Sequence, residues 1–115
     1  MDTKNSSAFD LQAVLSRVGG DHKLLREIIK MYTEDYPKKL KQIREGIERS
    51  DAKTIERIAH IIRGAVSNFE AKDAFESARR LEKIAKSGDL EKADTAFAEL
   101  ENELRRLEDD LDNIK

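Results

Sequence analysis

His60, Arg63, Gly64 and Ser67 stand at i, i+3, i+4 and i+7. On an α-helix of about 3.6 residues per turn this spacing puts all four on one face. The apolar residues of the same stretch, Ile55, Ile58, Ala59, Ile62, Val66 and Phe69, fall on roughly the opposite side. The imidazole of His60 is therefore expected to face solvent partway along a rigid helix. A neutral imidazole nitrogen is a nucleophile. Arg63, one turn on, can hold an anionic phosphoryl oxygen by a charge-assisted hydrogen bond, and its charge disfavours the imidazolium. Gly64 costs the helix roughly 1 kcal/mol relative to alanine. On a solvent face, the missing side chain leaves room beside the imidazole for another protein. Each residue also has an ordinary reading, as a surface histidine, an ion-paired arginine, a packing glycine or a surface serine. Their shared face is what points to a functional site.

The elements that must position these residues are helical throughout. Apolar spacing of three and four recurs along the chain, and the alternation expected of strands is missing. Asp10 is placed to cap a short first helix over Leu11, Val14 and Leu15, ended by Gly19-Gly20. Asp21 opens a long second helix with the stripe Leu24, Leu25, Ile28, Ile29, Tyr32, Tyr36, Leu40, Ile43 and Ile47; Pro37 should kink or interrupt it. Gly46 and Ser50 mark its decay. Asp51 opens the third helix, which carries His60. A fourth covers Ala74, Phe75, Ala78, Leu81, Ile84 and Ala85 and closes at Ser87-Gly88. Asp89 caps a fifth along Leu90, Ala93, Phe97, Leu100, Leu104, Leu107, Leu111 and Ile114, with the last turns from Glu108 expected to fray. Four substantial amphipathic helices joined by short connections predict an all-α fold, an antiparallel up-down four-helix bundle with a short additional N-terminal helix. The even seam of the fifth helix would also suit a coiled-coil dimer, but a bundle core explains it more simply. Residues 1–7 read as a disordered N-terminal tail and 8–115 as the bundle domain.

Composition excludes several function classes. The chain has 115 residues, 40% of them charged and interspersed in sign, with a formal net charge of -2 and 5% aromatics. That gives no basic footprint for nucleic acid. Cysteine is absent, which removes disulfide and thiolate chemistry. No apolar run approaches the roughly 18 residues of a membrane span. No phosphate-binding glycine loop and no carboxylate cluster for Mg²⁺ is present. His22 and His60 fall on different predicted helices, so no metal site is expected and His22 is a surface residue in a first helical turn.

The segment His60-Ile61-Ile62-Arg63-Gly64, followed by Ala65 to Ala71, resembles the motif of the histidine-containing phosphotransfer (HPt) domains of bacterial two-component phosphorelays. That motif runs histidine, any residue, an aliphatic, lysine, glycine, and then a small-residue stretch. The likeness extends to Phe9-Asp10-Leu11, to Val18-Gly19-Gly20-Asp21 with Leu24-Leu25, and to the run Tyr32 to Leu40 with Pro37. It also covers Ala78-Arg79-Arg80-Leu81-Glu82 and Ser87-Gly88-Asp89-Leu90. Two positions depart from the family pattern. Arg63 stands in place of lysine, keeping the charge but changing its shape and hydrogen-bond geometry. Glu70 stands where glycine is usual, and its spacing from His60 predicts a distant location.

The resemblance implies that His60 accepts a phosphoryl group on Nε2 from a receiver aspartate and passes it to another. It implies that Arg63 lies near the phosphoryl oxygens and that Gly64 keeps the docking face clear. Ile61 and Ser67, with Leu11 and Val14 on the first helix, are the candidate docking residues; for Leu11 and Val14, capping the bundle end is an equal or better reading. Glu56, four residues before His60, is placed to accept from the second ring nitrogen, although a surface pairing with Lys53 or Arg63 is the simpler expectation. The implied partners are response regulator receiver domains and a hybrid sensor histidine kinase, with no nucleic acid or membrane. The chain would bind no cofactor, Mg²⁺ being expected on the receiver. It would be a cytoplasmic monomer and a phosphocarrier rather than an autonomous enzyme. The alternatives are a degenerate docking module of the same fold and a structural helical adaptor.

Overall fold

The first three helices each begin at an aspartate that satisfies a backbone donor the opening turn leaves free. Asp10, Asp21 and Asp51 accept from the N–H groups of Ala13, Leu24 and Thr54 at 3.1, 3.0 and 3.2 Å. In the computed structural model, which describes residues 8–114, the elements are α1 (Leu11–Arg17), α2 (His22–Glu48), α3 (Ala52–Ser67), α4 (Lys72–Ser87), a 3₁₀ turn (Leu90–Lys92) and α5 (Ala93–Asp112). The tail assigned to residues 1–7 lies outside the described residues.

Helices α2 to α5 form the antiparallel bundle. Each packs on its neighbour in the chain, and α5 returns to close against α2. The core takes Ile29, Ile43, Ile55, Ile58, Leu81, Leu100, Leu104, Leu107 and Leu111, all essentially sealed from solvent. The α5 seam is thus consumed by the chain's own core. Across the α2–α5 closure, the Tyr32 hydroxyl donates to the Leu104 carbonyl at 2.8 Å, and the Tyr36 hydroxyl donates to Glu108. The two tyrosine rings stack at 4.9 Å, and Phe69 meets Tyr32 edge-on at 5.4 Å. At the tight α2–α3 turn a Cβ on Gly46 would stand 3.0 Å from Ile55 Cγ1, so the glycine admits the close crossing.

Four local expectations are corrected. Helix α2 runs through Pro37 without interruption. Pro37 is on the exposed side, and buried Tyr32, Tyr36, Leu40 and Ile43 pin the helix before and after it, so packing outweighs the lost backbone hydrogen bond. The end of α5 stays helical to Asp112, because Leu111 is buried and Asp110 accepts from the Ala8 N–H at 2.6 Å. Asp89 caps the 3₁₀ turn, and α5 itself begins only at Ala93. Leu24, assigned to the α2 stripe by spacing, is exposed.

Helix α1 crosses one end of the bundle. Buried Val14 anchors it, the Asp10 N–H reaches the Phe69 carbonyl at 3.4 Å, and Arg17 Nε donates to Glu70 at 2.8 Å. Among the described residues no helix is long and apolar enough to cross a membrane.

Candidate functional site

The most extensive helix pairing in the bundle is α3 on α4. Helix α4 turns small residues inward, with Ala74, Ser77, Ala78 and Ala85 all buried, and two helices bearing such residues can approach closely. Along the edge of this pair His60 of α3 meets Glu82 of α4.

The His60 side chain is 61% exposed, and its Nδ1 lies 3.0 Å from Glu82 Oε2. Nε2 makes no hydrogen bond among the described residues and is the ring nitrogen left to solvent. Glu82 is a buried carboxylate at 8% exposure. Such a group needs a counter-charge. Arg63 supplies it: its Nε lies 3.2 Å from Glu82 Oε1, an ion pair that lacks hydrogen-bond geometry and leaves Oε1 without a hydrogen bond. The Arg63 guanidinium also sits over the Phe75 ring at 5.7 Å, and its Nη2 lies 2.8 Å from His60 Nδ1. His60, Arg63 and Glu82 are therefore one cluster.

The remaining predicted residues separate into groups. At Gly64 an added Cβ would meet no atom within 4 Å, so internal packing does not require the glycine. The Ser67 hydroxyl donates to the Gly64 carbonyl at 2.6 Å and is thus turned onto its own helix. Ile61 and Leu11 are among the exposed large apolar residues. Val14 is not available for docking: it is 2% exposed, because the α1 turn that presents Leu11 outward drives Val14 into the core. Glu70 pairs with Arg17, with its backbone in the left-handed region at φ 52°.

Neither reading of Glu56 holds, since its closest cation is Lys86, 4.0 Å away on α4. Sequence reasoning missed Glu82. The available signal was a carboxylate one turn after Ala78 and three residues before Ala85, on the flank of an apolar stripe, where a charge must find a partner.

An apolar groove of about 580 Å³ runs beside Ile61 between α2 and α3, lined by Ile28, Met31, Tyr32, Ala65 and Phe69 among others. Met31 is 68% exposed and Ile61 42%. Among the described residues no group of three or more His, Asp or Glu is placed to hold a metal.

The sequence model of the Hpt domain family matches residues 27–110. No curated protein matches the chain. The fold is similar to the crystal structure of histidine-containing phosphotransfer protein B (HptB) from Pseudomonas aeruginosa PAO1. The TM-score is 0.86 at 19% identity, over 92% of each chain.

Proposed function

The chain belongs to the Hpt domain family, and on that premise we propose that His60 is the residue that takes up and passes on the phosphoryl group. Hpt domains carry phosphoryl groups in two-component phosphorelays, working with receiver domains and histidine kinases. The observation that carries the assignment to His60 is its ring orientation, with Nδ1 against Glu82 and Nε2 toward solvent.

In the accepting direction Nε2 uses its lone pair to attack the phosphorus of a receiver's aspartyl phosphate. The N–P bond forms as the O–P bond to the aspartate breaks, and the bonding pair leaves on the carboxylate oxygen. The ring becomes positively charged, with its proton on Nδ1. Glu82, 3.0 Å away, stabilises that charge and holds the ring in line. Passing the group to a second receiver reverses the steps. Arg63 serves the phosphoryl oxygens, replacing the usual lysine. Gly64 leaves the approach open, and the receiver seats on the apolar surface of Ile61, Met31 and Leu11. Mg²⁺ belongs to the receiver, where it neutralises the acyl phosphate. The bundle supplies position and charge, and the receiver supplies the remaining catalysis.

The test is phosphotransfer from a panel of phosphorylated receivers, with His60→Gln beside the parent protein. Acid-labile, alkali-stable label on the parent alone is the expected result. No label from a panel that charges a control Hpt domain would leave a docking module that carries no phosphoryl group.

A further inference from the structure

Two groups compete for one nitrogen at His60. Glu82 Oε2 lies 3.0 Å from Nδ1 and can only accept; Arg63 Nη2 lies 2.8 Å from the same atom and can only donate. A neutral imidazole carries one N–H and one lone pair. If Nδ1 bears the proton, Glu82 is satisfied and Nε2 holds the outward lone pair. If Arg63 donates to Nδ1, the lone pair is spent there and the ring proton sits on Nε2, where no nucleophile remains.

We propose that Arg63 gates the nucleophile of His60: in the free protein its guanidinium draws part of the population into the Nε2–H tautomer, and an arriving phosphoryl group opens the gate by drawing Arg63 away. The inference rests on the assignment of His60 as the phosphoryl acceptor and adds a resting state to it. Several observations support it. Arg63 is held near Nδ1 by a second attachment, its Nε at 3.2 Å from Glu82 Oε1, so the competing donor is tethered by the acceptor it competes with. That contact lacks hydrogen-bond geometry and leaves Glu82 Oε1 without a hydrogen bond. Nη2, in contrast, makes the shorter contact, to the ring. The Arg63 side chain is partly exposed, at 28%, so an external anion can approach it. An anionic oxygen is a better acceptor for a guanidinium than a neutral imidazole nitrogen. Release of Arg63 moves the ring proton from Nε2 to Nδ1 through solvent, with no change in ring charge. Arg63 is thus a positioning residue for His60 in the free protein.

The tautomer is read directly from the ring ¹⁵N chemical shifts of His60 in the free, unphosphorylated full chain, at about pH 9, above the ordinary histidine range. Arg63→Met is expected to shift the ratio toward the Nδ1–H form by about tenfold, the worth of one hydrogen bond to a charged group. Arg63→Ala, which removes the guanidinium without adding a longer side chain, is expected to shift it the same way. Loss of fold in one variant leaves the other to decide. A ratio unmoved in whichever variants keep the parent helical circular dichroism overturns the gate. No phosphodonor is present, so this outcome is separate from whether His60 carries a phosphoryl group. A labelled His60 with an unmoved ratio refutes the gate alone, and a moved ratio without label refutes the phosphotransfer reading alone.

Discussion

Replacing Gly64 by glutamine separates the stability of α3 from the use of its outer face. The backbone at Gly64 is helical, and an added Cβ would have no neighbour within 4 Å, so the substitution meets no clash. Glutamine is a better helix former than glycine by about 0.5–1 kcal/mol. In a domain of this size the gain corresponds to a rise in Tm of roughly 2–6 °C. The same side chain stands one turn from His60 and projects over the surface where, on the proposed function, a receiver comes within bonding distance of Nε2. Misplacement of the reacting atoms by about 1 Å is worth roughly 100-fold in rate, so transfer from a phosphorylated receiver should fall by about that factor. Thermal unfolding followed by circular dichroism and quenched-flow phosphotransfer measure the two effects on one sample. A lowered Tm would show that packing needs the glycine. A raised Tm with an unchanged transfer rate would refute the clearance argument and leave Gly64 without a role at the site.

Two further outcomes follow from the edges of the bundle. Arg17 and Glu70 are partly exposed, so a double-mutant cycle with alanine should give a coupling of about 0.2–1 kcal/mol that shrinks with added salt; urea unfolding at low and high salt checks it, and a larger, salt-independent coupling would contradict the surface assignment. Burial, the largest cause for both, raises Tyr32 and Tyr36 well above the usual tyrosine value, and Glu108 raises both further. The folded state therefore keeps these protons that the unfolded chain gives up near pH 10, so their contribution is fully present below about pH 10 and is lost as pH rises beyond it. These are the only tyrosines, so phenolate absorbance should appear together with loss of helical signal in an alkaline titration. Phenolate forming while the helices persist would contradict the buried α2–α5 closure.

Much of the fold was legible because capping and periodicity are local. Asp10, Asp21 and Asp51 cap the helices they were expected to cap, and every residue of the α3 stripe from Ile55 to Phe69 is buried. Periodicity gives the direction a residue faces but not how far the neighbouring helices extend over it. Leu24 shares the direction of Leu25's neighbours yet lies beyond cover near the start of α2, and Val14, one turn from exposed Leu11, is sealed. The placement of His60 on the outer face followed from spacing on one helix. Its partner did not, since the choice between Glu56 and Glu82 depends on the register of α3 against α4. Local propensity also misjudged the end of α5 and allowed an interruption at Pro37 that does not occur, because contacts with distant residues hold the helix.

The arrangement around His60 divides between a rigid pair of helices and a looser rim. The His60–Glu82 separation is set by α3 and α4, whose small buried residues fix their approach, so neither side chain need be ordered when a partner arrives. The rim is held differently. Helix α1 contributes exposed Leu11 and is held by buried Val14, by partly buried Leu15 packed on the core, by one long backbone contact and by a partly exposed ion pair from Arg17 to Glu70. Glu70 occupies the place where the family usually has glycine, adopts the left-handed backbone conformation that glycine favours, and spends its carboxylate on α1 rather than on His60. A residue that departs from the family pattern in sequence is thus, in three dimensions, a tether for the edge of the proposed docking surface. Variation at Arg17 and Glu70 should alter which receivers dock more than it alters the chemistry at His60.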